Sequence, residues 1–188
     1  MSPPPEGIVL GGYRPGALAE VVALHMAYYA PEWGFGRAFE TKVAGELAAF
    51  LAGADPARDL FLCARDPAGG LVGTITIDCG DAAGEGAHLR WFIVAGHARG
   101  RGLGRALMAR ADAFLADRGH ARAHLTTFAG LDPARRLYES FGFRLVAEEA
   151  ADPWSGTVGL QRFEKGAGAP VRGGVGPGGS GAHAPRQA

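Results

Sequence analysis

Apolar positions along the chain recur with two different periods, and their order predicts a mixed α/β architecture. Residues 8–10 (Ile-Val-Leu) form a short candidate strand. Pro15 can open a helix on which Leu18, Val21, Val22, His25, Met26 and Tyr29 recur at helical spacing. Pro31 predicts the end of that helix, because the residue before a proline is driven out of the helical region. A second helix is predicted over 36–51, with Phe39, Val43, Leu47, Phe50 and Leu51 on one face. Residues 60–64 and 71–77 read as strands joined by the turn Asp66-Pro-Ala-Gly-Gly70. A loop with Gly80, Gly84 and Gly86 leads to a strand over 88–94. A loop over 95–101 precedes a helix over 102–118, closed by Gly119 and striped by Leu103, Leu107, Ala111, Phe114 and Leu115. Residues 124–128 form another strand, Pro133 starts a short helix to about residue 141, and 143–146 and 157–160 read as the final strands. Two helices, a hairpin and then alternating strands and helices predict a mixed α/β sandwich around one long central sheet.

Composition divides this chain into a domain and its ends. Glycine is unusually abundant, at 31 of 188 residues. Residues 166–188 contain eight glycines and three prolines and offer only Val171 and Val175 as branched aliphatics. Such a segment cannot bury enough apolar surface to offset chain entropy, so it is expected to be a disordered tail. Residues 1–6 are expected to be a flexible N-terminus, which leaves 7–165 as the folded domain. Lysine plus arginine balance aspartate plus glutamate at 19 each, so the overall charge predicts neither a nucleic-acid nor a membrane partner. The sequence has no apolar run long enough for a membrane span, residues 1–6 lack a basic region followed by an apolar one, so no secretory signal is expected, and a cytoplasmic location is expected. Cys63 and Cys79 have no metal-ligand spacing, and each sits in an apolar strand-like run where a free cysteine serves as a small hydrophobe. No metal is expected.

The candidate chemistry lies at residues 92–107, where a strand runs through a glycine-rich turn into a helix. In Arg99-Gly-Arg-Gly-Leu-Gly104, small residues stand where backbone amides would approach a ligand closely. The first turn of the following helix adds unpaired N–H groups and a partial positive charge. Arg99, Arg101 and Arg105 supply fixed charge beside it. Together these predict an anion cradle suited to a pyrophosphate. A P-loop would need Lys-Ser or Lys-Thr after the last glycine, where Arg105 stands. A dinucleotide fingerprint from Gly102 or Gly100 would need a small residue where Leu107 or Arg105 stands, and no acidic residue ends a strand about 20 residues later. Both common nucleotide readings fail at named positions.

Val94 followed by Arg99-Gly-Arg-Gly-Leu-Gly104 resembles the acetyl-CoA loop of the GNAT acyltransferases. Downstream, Ala134-Arg-Arg-Leu-Tyr-Glu-Ser-Phe-Gly-Phe143 resembles the family's helix and strand beside the CoA tail. Thr126-Thr127, residues 134–138 and residues 142–146 look more narrowly like acetyltransferase domains fused to MarR-type winged-helix regulators, a bacterial-type arrangement. The resemblance covers about residues 8–163. It implies a GNAT fold, a mixed sheet splayed between its fourth and fifth strands with helices on both faces. It implies acetyl-CoA as co-substrate, with Phe92, Ile93 and Val94 pairing with the pantetheine and Arg99, Gly100, Arg101, Gly102, Leu103, Gly104 and Arg105 holding the pyrophosphate. It places Tyr138 as the general acid toward the CoA thiolate, which a phenol of ordinary pKa near 10 suits. Many members carry an asparagine shortly before the second motif. Here Asp132-Pro133 stands there and is expected to cap the helix instead.

The implied reaction is direct transfer of an acetyl group to a primary amine in a ternary complex, on a small molecule or on a peptide or protein. The alternative is a non-catalytic acyl-CoA sensor or interaction module on the same fold. An amine must be neutral to attack, so a base is expected, with His88 and Glu32 foremost among Glu32, Glu40, Asp78, Glu85 and His88. The family walls its acceptor site with the first two helices, so Tyr28, Tyr29, Trp33 and Phe35 are candidate acceptor contacts, with Trp91 and Trp154 able to join them. The same rings could equally be packing where two helices meet. An acyl-enzyme is not expected, because neither cysteine has a neighbouring cation or helix N-terminus in the sequence. A homodimer is compatible with such folds, and the sequence does not select the oligomeric state.

Overall fold

The computed structural model describes residues 3–151 and 158–166. Trp154, the first residue (Thr157) of the expected strand 157–160 and all of the expected tail but Gly166 lie outside the described residues. Strands β1 (Val9–Gly11), β2 (Leu60–Arg65), β3 (Leu71–Asp78), β4 (Ala87–Val94), β5 (Ala123–Phe128), β6 (Arg144–Glu149) and β7 (Leu160–Lys165) form one sheet in the order β1-β2-β3-β4-β5-β7-β6. All neighbours are antiparallel except β4 and β5. Helices α1 (Ala17–Trp33) and α2 (Arg37–Gly53) share one apolar cluster with Trp91, Ile93 and Phe128. Helix α3 (Leu103–Asp117) packs with Ile75, Ile77, Leu89 and Leu125 in a second cluster, to which α4 (Asp132–Ser140) contributes Tyr138. The sheet thus separates two cores.

Two features of the sheet make the site. The first is a bulge in β4. Thr74 pairs with Ile93 but Thr76 with Arg90, so β4 carries an extra residue, and Trp91 takes φ 46°. An added residue reverses side-chain alternation. Ala87 and Leu89 therefore face the α3 core, whereas Trp91 and Ile93 face α1 and α2. The second is the separation of β4 from β5. Only Ala87–Ala123 and His88–His124 are paired, and beyond them residues 89–94 and 125–128 diverge.

Three sequence expectations are corrected. Helix α1 runs through Pro31 to Trp33 rather than ending before it. The missing N–H falls in the last turn, where Gly34, in the left-handed conformation, donates to the Ala30 carbonyl and Phe35 donates to that of Tyr29. Those closing bonds, with the packing of Tyr29 and Trp33, hold the helix past the proline. The last strand is Leu160–Lys165, later than 157–160, because Leu125 and Phe128 of β5 are paired with Phe163 and Leu160. Asp132 is the first residue of α4 rather than its cap. Leu131 holds the cap position without a side-chain bond.

Candidate active site

The divergence of β4 and β5 opens a cavity of about 670 Å³. Its walls come from residues 89–94 and 125–128 of the two strands, from α1 and α2 on one side and from α4 on the other. At one end it meets the turn before α3. Gly100 and Gly102 have φ of 73° and 86°, with open space where a Cβ would stand. At Gly104 a Cβ would come within 3.4–3.5 Å of Leu137 and Phe92. Among the described turn and cap hydrogen bonds, none uses the N–H of residues 100–105 as donor; the first helical bond to the Gly102 carbonyl comes from Ala106. The first turn of α3 contains no acid. This is a row of unpaired donors at the positive end of a helix, open to an anion. The unpaired main chain of β4 leads directly into it. A long ligand with amides in its middle and a pyrophosphate at one end fits these residues, as a CoA ester does.

Arg99 bridges the cradle and α1. Its Nε donates to the Val94 carbonyl at 2.9 Å, and its guanidinium lies 4.3 Å from the centre of the Tyr28 ring. Arg101 and Arg105 are exposed beside the loop and do not line the cavity; Arg105 lies 5.8 Å from the Phe141 ring.

Tyr138 lines the cavity from α4 and is buried. Phe92, Phe143 and Phe163 surround its ring at 5.9–6.4 Å, and the Thr127 side chain lies near its hydroxyl. Burial pushes the phenol above its ordinary value, so it stays protonated at neutral pH. Tyr29 is raised for the same reason, with Tyr138 and Tyr28 adding to the effect.

At the opposite end, beside the paired foot of β4, His88 stacks on His124 with ring centres 4.2 Å apart. Burial, then His124, Arg90, Arg162 and Lys42, bring His88 down to about 3, so the imidazole is neutral. Glu46 of α2 joins this end, paired with Lys42 and, at 2.5 Å, with Arg90. Arg90 also reaches Asp78 at 3.3 Å and covers the Trp91 ring.

Of the residues expected to contact the acceptor, Tyr28 and Tyr29 line the cavity. Phe35 is buried in the aromatic cluster of Tyr29, Phe39 and Phe128, and Trp33 packs there against Gly130. Neither lines the cavity, and Glu32 is exposed outside it. Cavity residues that sequence reasoning passed over are Lys42, Glu46, Thr127 and His25. For His25 a signal existed, a polar residue between Val21 and Tyr29 on the apolar face of α1.

Both thiols are pushed up by burial, Cys79 to about 11, and neither lines the cavity. Among the described residues no cluster of three or more metal-ligating side chains occurs, and no helix is long and apolar enough to cross a membrane.

A parallel strand pair parted over an anion cradle, with a buried phenol between, defines a domain shaped to hold an acyl thioester. The model of the acetyltransferase (GNAT) family matches residues 18–143. The chain belongs to that family. Among solved structures, an acetyltransferase of the GNAT family from Staphylococcus aureus Mu50 is 16% identical with a TM-score of 0.67, over 84% of this chain and 98% of that one. An N-acetyltransferase of the family from Kribbella flavida is 22% identical with a TM-score of 0.64, over 85% and 98%. A spermidine N-acetyltransferase SpeG chimera from Vibrio cholerae and hSSAT is 17% identical with a TM-score of 0.61, over 85% and 95%. No curated protein matches the chain.

Proposed function

We propose that the protein transfers an acetyl group from acetyl-CoA to a primary amine by direct attack within a ternary complex. The observation that carries this reading is the continuity of the site: the open β4–β5 edge leads from Tyr138 to the unpaired amides of residues 100–105. In it, main-chain groups of Phe92, Ile93 and Val94 pair with the pantetheine, and the turn amides with Arg99 hold the pyrophosphate. Arg101 and Arg105 strengthen the local positive field from the surface. The amine nitrogen attacks the thioester carbon, the N–C bond forms, the C–S bond breaks and the nitrogen releases one proton, which ends in solvent. The departing sulfur takes the proton of the Tyr138 hydroxyl, near the Thr127 side chain, and Tyr138 is reprotonated from solvent.

Tyr28 and Tyr29 form the aromatic wall for the acceptor. His88 contacts the acceptor through its neutral ring, which burial and then the neighbouring cations keep unprotonated. Glu32, outside the cavity, has no assigned step. The raised thiols support direct transfer over an acyl-enzyme. Free buried cysteines suit the cytoplasm, where we place the reaction. The segments 134–138 and 142–146 support kinship with the domains fused to MarR-type regulators.

Calorimetric titration with acetyl-CoA, together with a thiol-release assay over pooled primary amines, tests the reading. Binding with amine-dependent thiol release is expected. Binding without turnover over a broad panel would identify an acyl-CoA sensor, and tight NAD or ATP binding without CoA affinity would refute the reading.

A further inference from the structure

His25 is a buried polar side chain that the steps above leave unused. It is 5% exposed, on the cavity-facing side of α1, and it lines the cavity. Its Nδ1 lies 2.8 Å from the Val21 carbonyl. A carbonyl can only accept, so Nδ1 carries the hydrogen and the neutral ring presents Nε2 as a bare lone pair. No hydrogen bond of the described residues engages Nε2. The ring stacks along Tyr29, 6.2 Å between centres, and Tyr29 is close enough to Tyr138 and Arg99 to feel their charges.

The titratable and charged groups that share the cavity with His25 are Tyr28 and Tyr29 on α1, Lys42 and Glu46 on α2, His88 and Arg90 on β4, Arg99 in the cradle loop and Tyr138 on α4. Only Glu46 among them is an acid, and it is already paired with Lys42 and Arg90. Among the described residues, His25 thus brings to the acceptor half an acceptor lone pair that the helix backbone orients and no protein donor occupies.

We propose that His25 is a catalytic residue for the acceptor amine: Nε2 accepts an N–H of the attacking nitrogen and takes its proton as the N–C bond forms. Atoms balance as follows. The amine gives one proton to Nε2, the thioester carbon exchanges sulfur for nitrogen, the thiol gains its hydrogen from Tyr138, and His25 returns its proton to solvent. This rests on the acetyl-transfer reading above. Burial holds the ring neutral, down to about 4, so Nε2 keeps its lone pair unprotonated throughout the neutral range. Negative charge growing on the attacked carbonyl strengthens it as a base during the step.

The test compares wild type with His25→Gln, which keeps an acceptor but cannot hold the extra proton, and His25→Phe, which keeps the ring shape. General-base catalysis is worth roughly 100-fold or more. Both variants should lose about that factor in kcat while binding acetyl-CoA within twofold of wild type. Added imidazole should restore part of the turnover of His25→Ala, a rescue that a purely structural role would not produce. Variants within threefold of wild type in kcat, or a His25→Ala enzyme that imidazole does not restore, would overturn the role of His25 alone. A wild type that fails to bind acetyl-CoA would overturn the underlying reading, and this inference with it.

Discussion

Replacing Tyr138 by phenylalanine separates the chemistry of the site from its architecture. The ring sits among Phe92, Phe143 and Phe163, contacts that phenylalanine preserves. What is lost is one hydroxyl, near the Thr127 side chain. Even a full hydrogen bond at that hydroxyl is worth about 1 kcal/mol net, so for a domain of this size Tm should fall by no more than roughly 2–4 °C. The rate effect should be larger. General acids contribute about 10²–10⁴-fold, and a thiolate leaves more readily than an alkoxide, so the low end applies, about 100-fold, or ~2.7 kcal/mol in the barrier. Thiol release under saturating acetyl-CoA measures kcat, and calorimetry measures acetyl-CoA binding, expected within twofold of wild type. Because burial raises the phenol, wild-type activity should show no loss attributable to Tyr138 up to about pH 10. Unchanged kcat at every pH would refute the acid role. An equal loss of binding and turnover would show that Tyr138 only positions the thioester.

Gly102→Val puts a side chain into the cradle at φ 86°, with about 1–2 kcal/mol of backbone strain, and should weaken acetyl-CoA binding at least 10-fold. Gly119→Ala, at φ 70° beyond the other end of α3, carries similar strain and should leave binding unchanged, so equal effects in the two would sink the cradle assignment. Arg99→Ala removes the bond to Val94 and the contact with Tyr28. Being exposed, it should alter stability by under about 1 kcal/mol, yet weaken CoA binding and flatten its salt dependence in a titration series. His25 is held below its ordinary 6.5, at about 4, by burial, so below pH 6.5 the unfolded chain takes a proton that the folded one refuses. Stability is therefore full above pH 6.5 and should fall by up to about 3 kcal/mol by pH 4 from this residue. The urea midpoint of wild type should therefore fall relative to that of His25→Phe as the pH drops from 6.5 to 4; parallel curves would contradict the buried neutral ring.

Local information in the chain was enough for most elements and for the glycine turn that leaves the amides of residues 100–105 open. The stripe of Leu103, Leu107, Ala111 and Leu115 and the glycines at 100, 102 and 104 are short-range patterns, and a helix start after a tight turn exposes amides whatever surrounds it. Tyr138 was legible for a different reason, because its motif resembles a known family. The acceptor half was not legible. Whether Tyr29 or Phe35 faces the cavity depends on how α1 and α2 cross the sheet, and beside Pro31 the rings of Tyr29 and Trp33 pack on Phe128, about a hundred positions away. The bulge at Trp91 reverses which face Trp91 and Ile93 present, and it appears only once β4 is registered against β3. His25 and Glu46 meet the same cavity from different helices, 21 positions apart, and no periodicity encodes that meeting. Sequence alone determined the elements and the glycine turn that opens α3, because those depend on neighbours a turn away. Tertiary structure decided which side chains face the cavity, because the parting of β4 from β5 and the placement of two helices over it are long-range pairings.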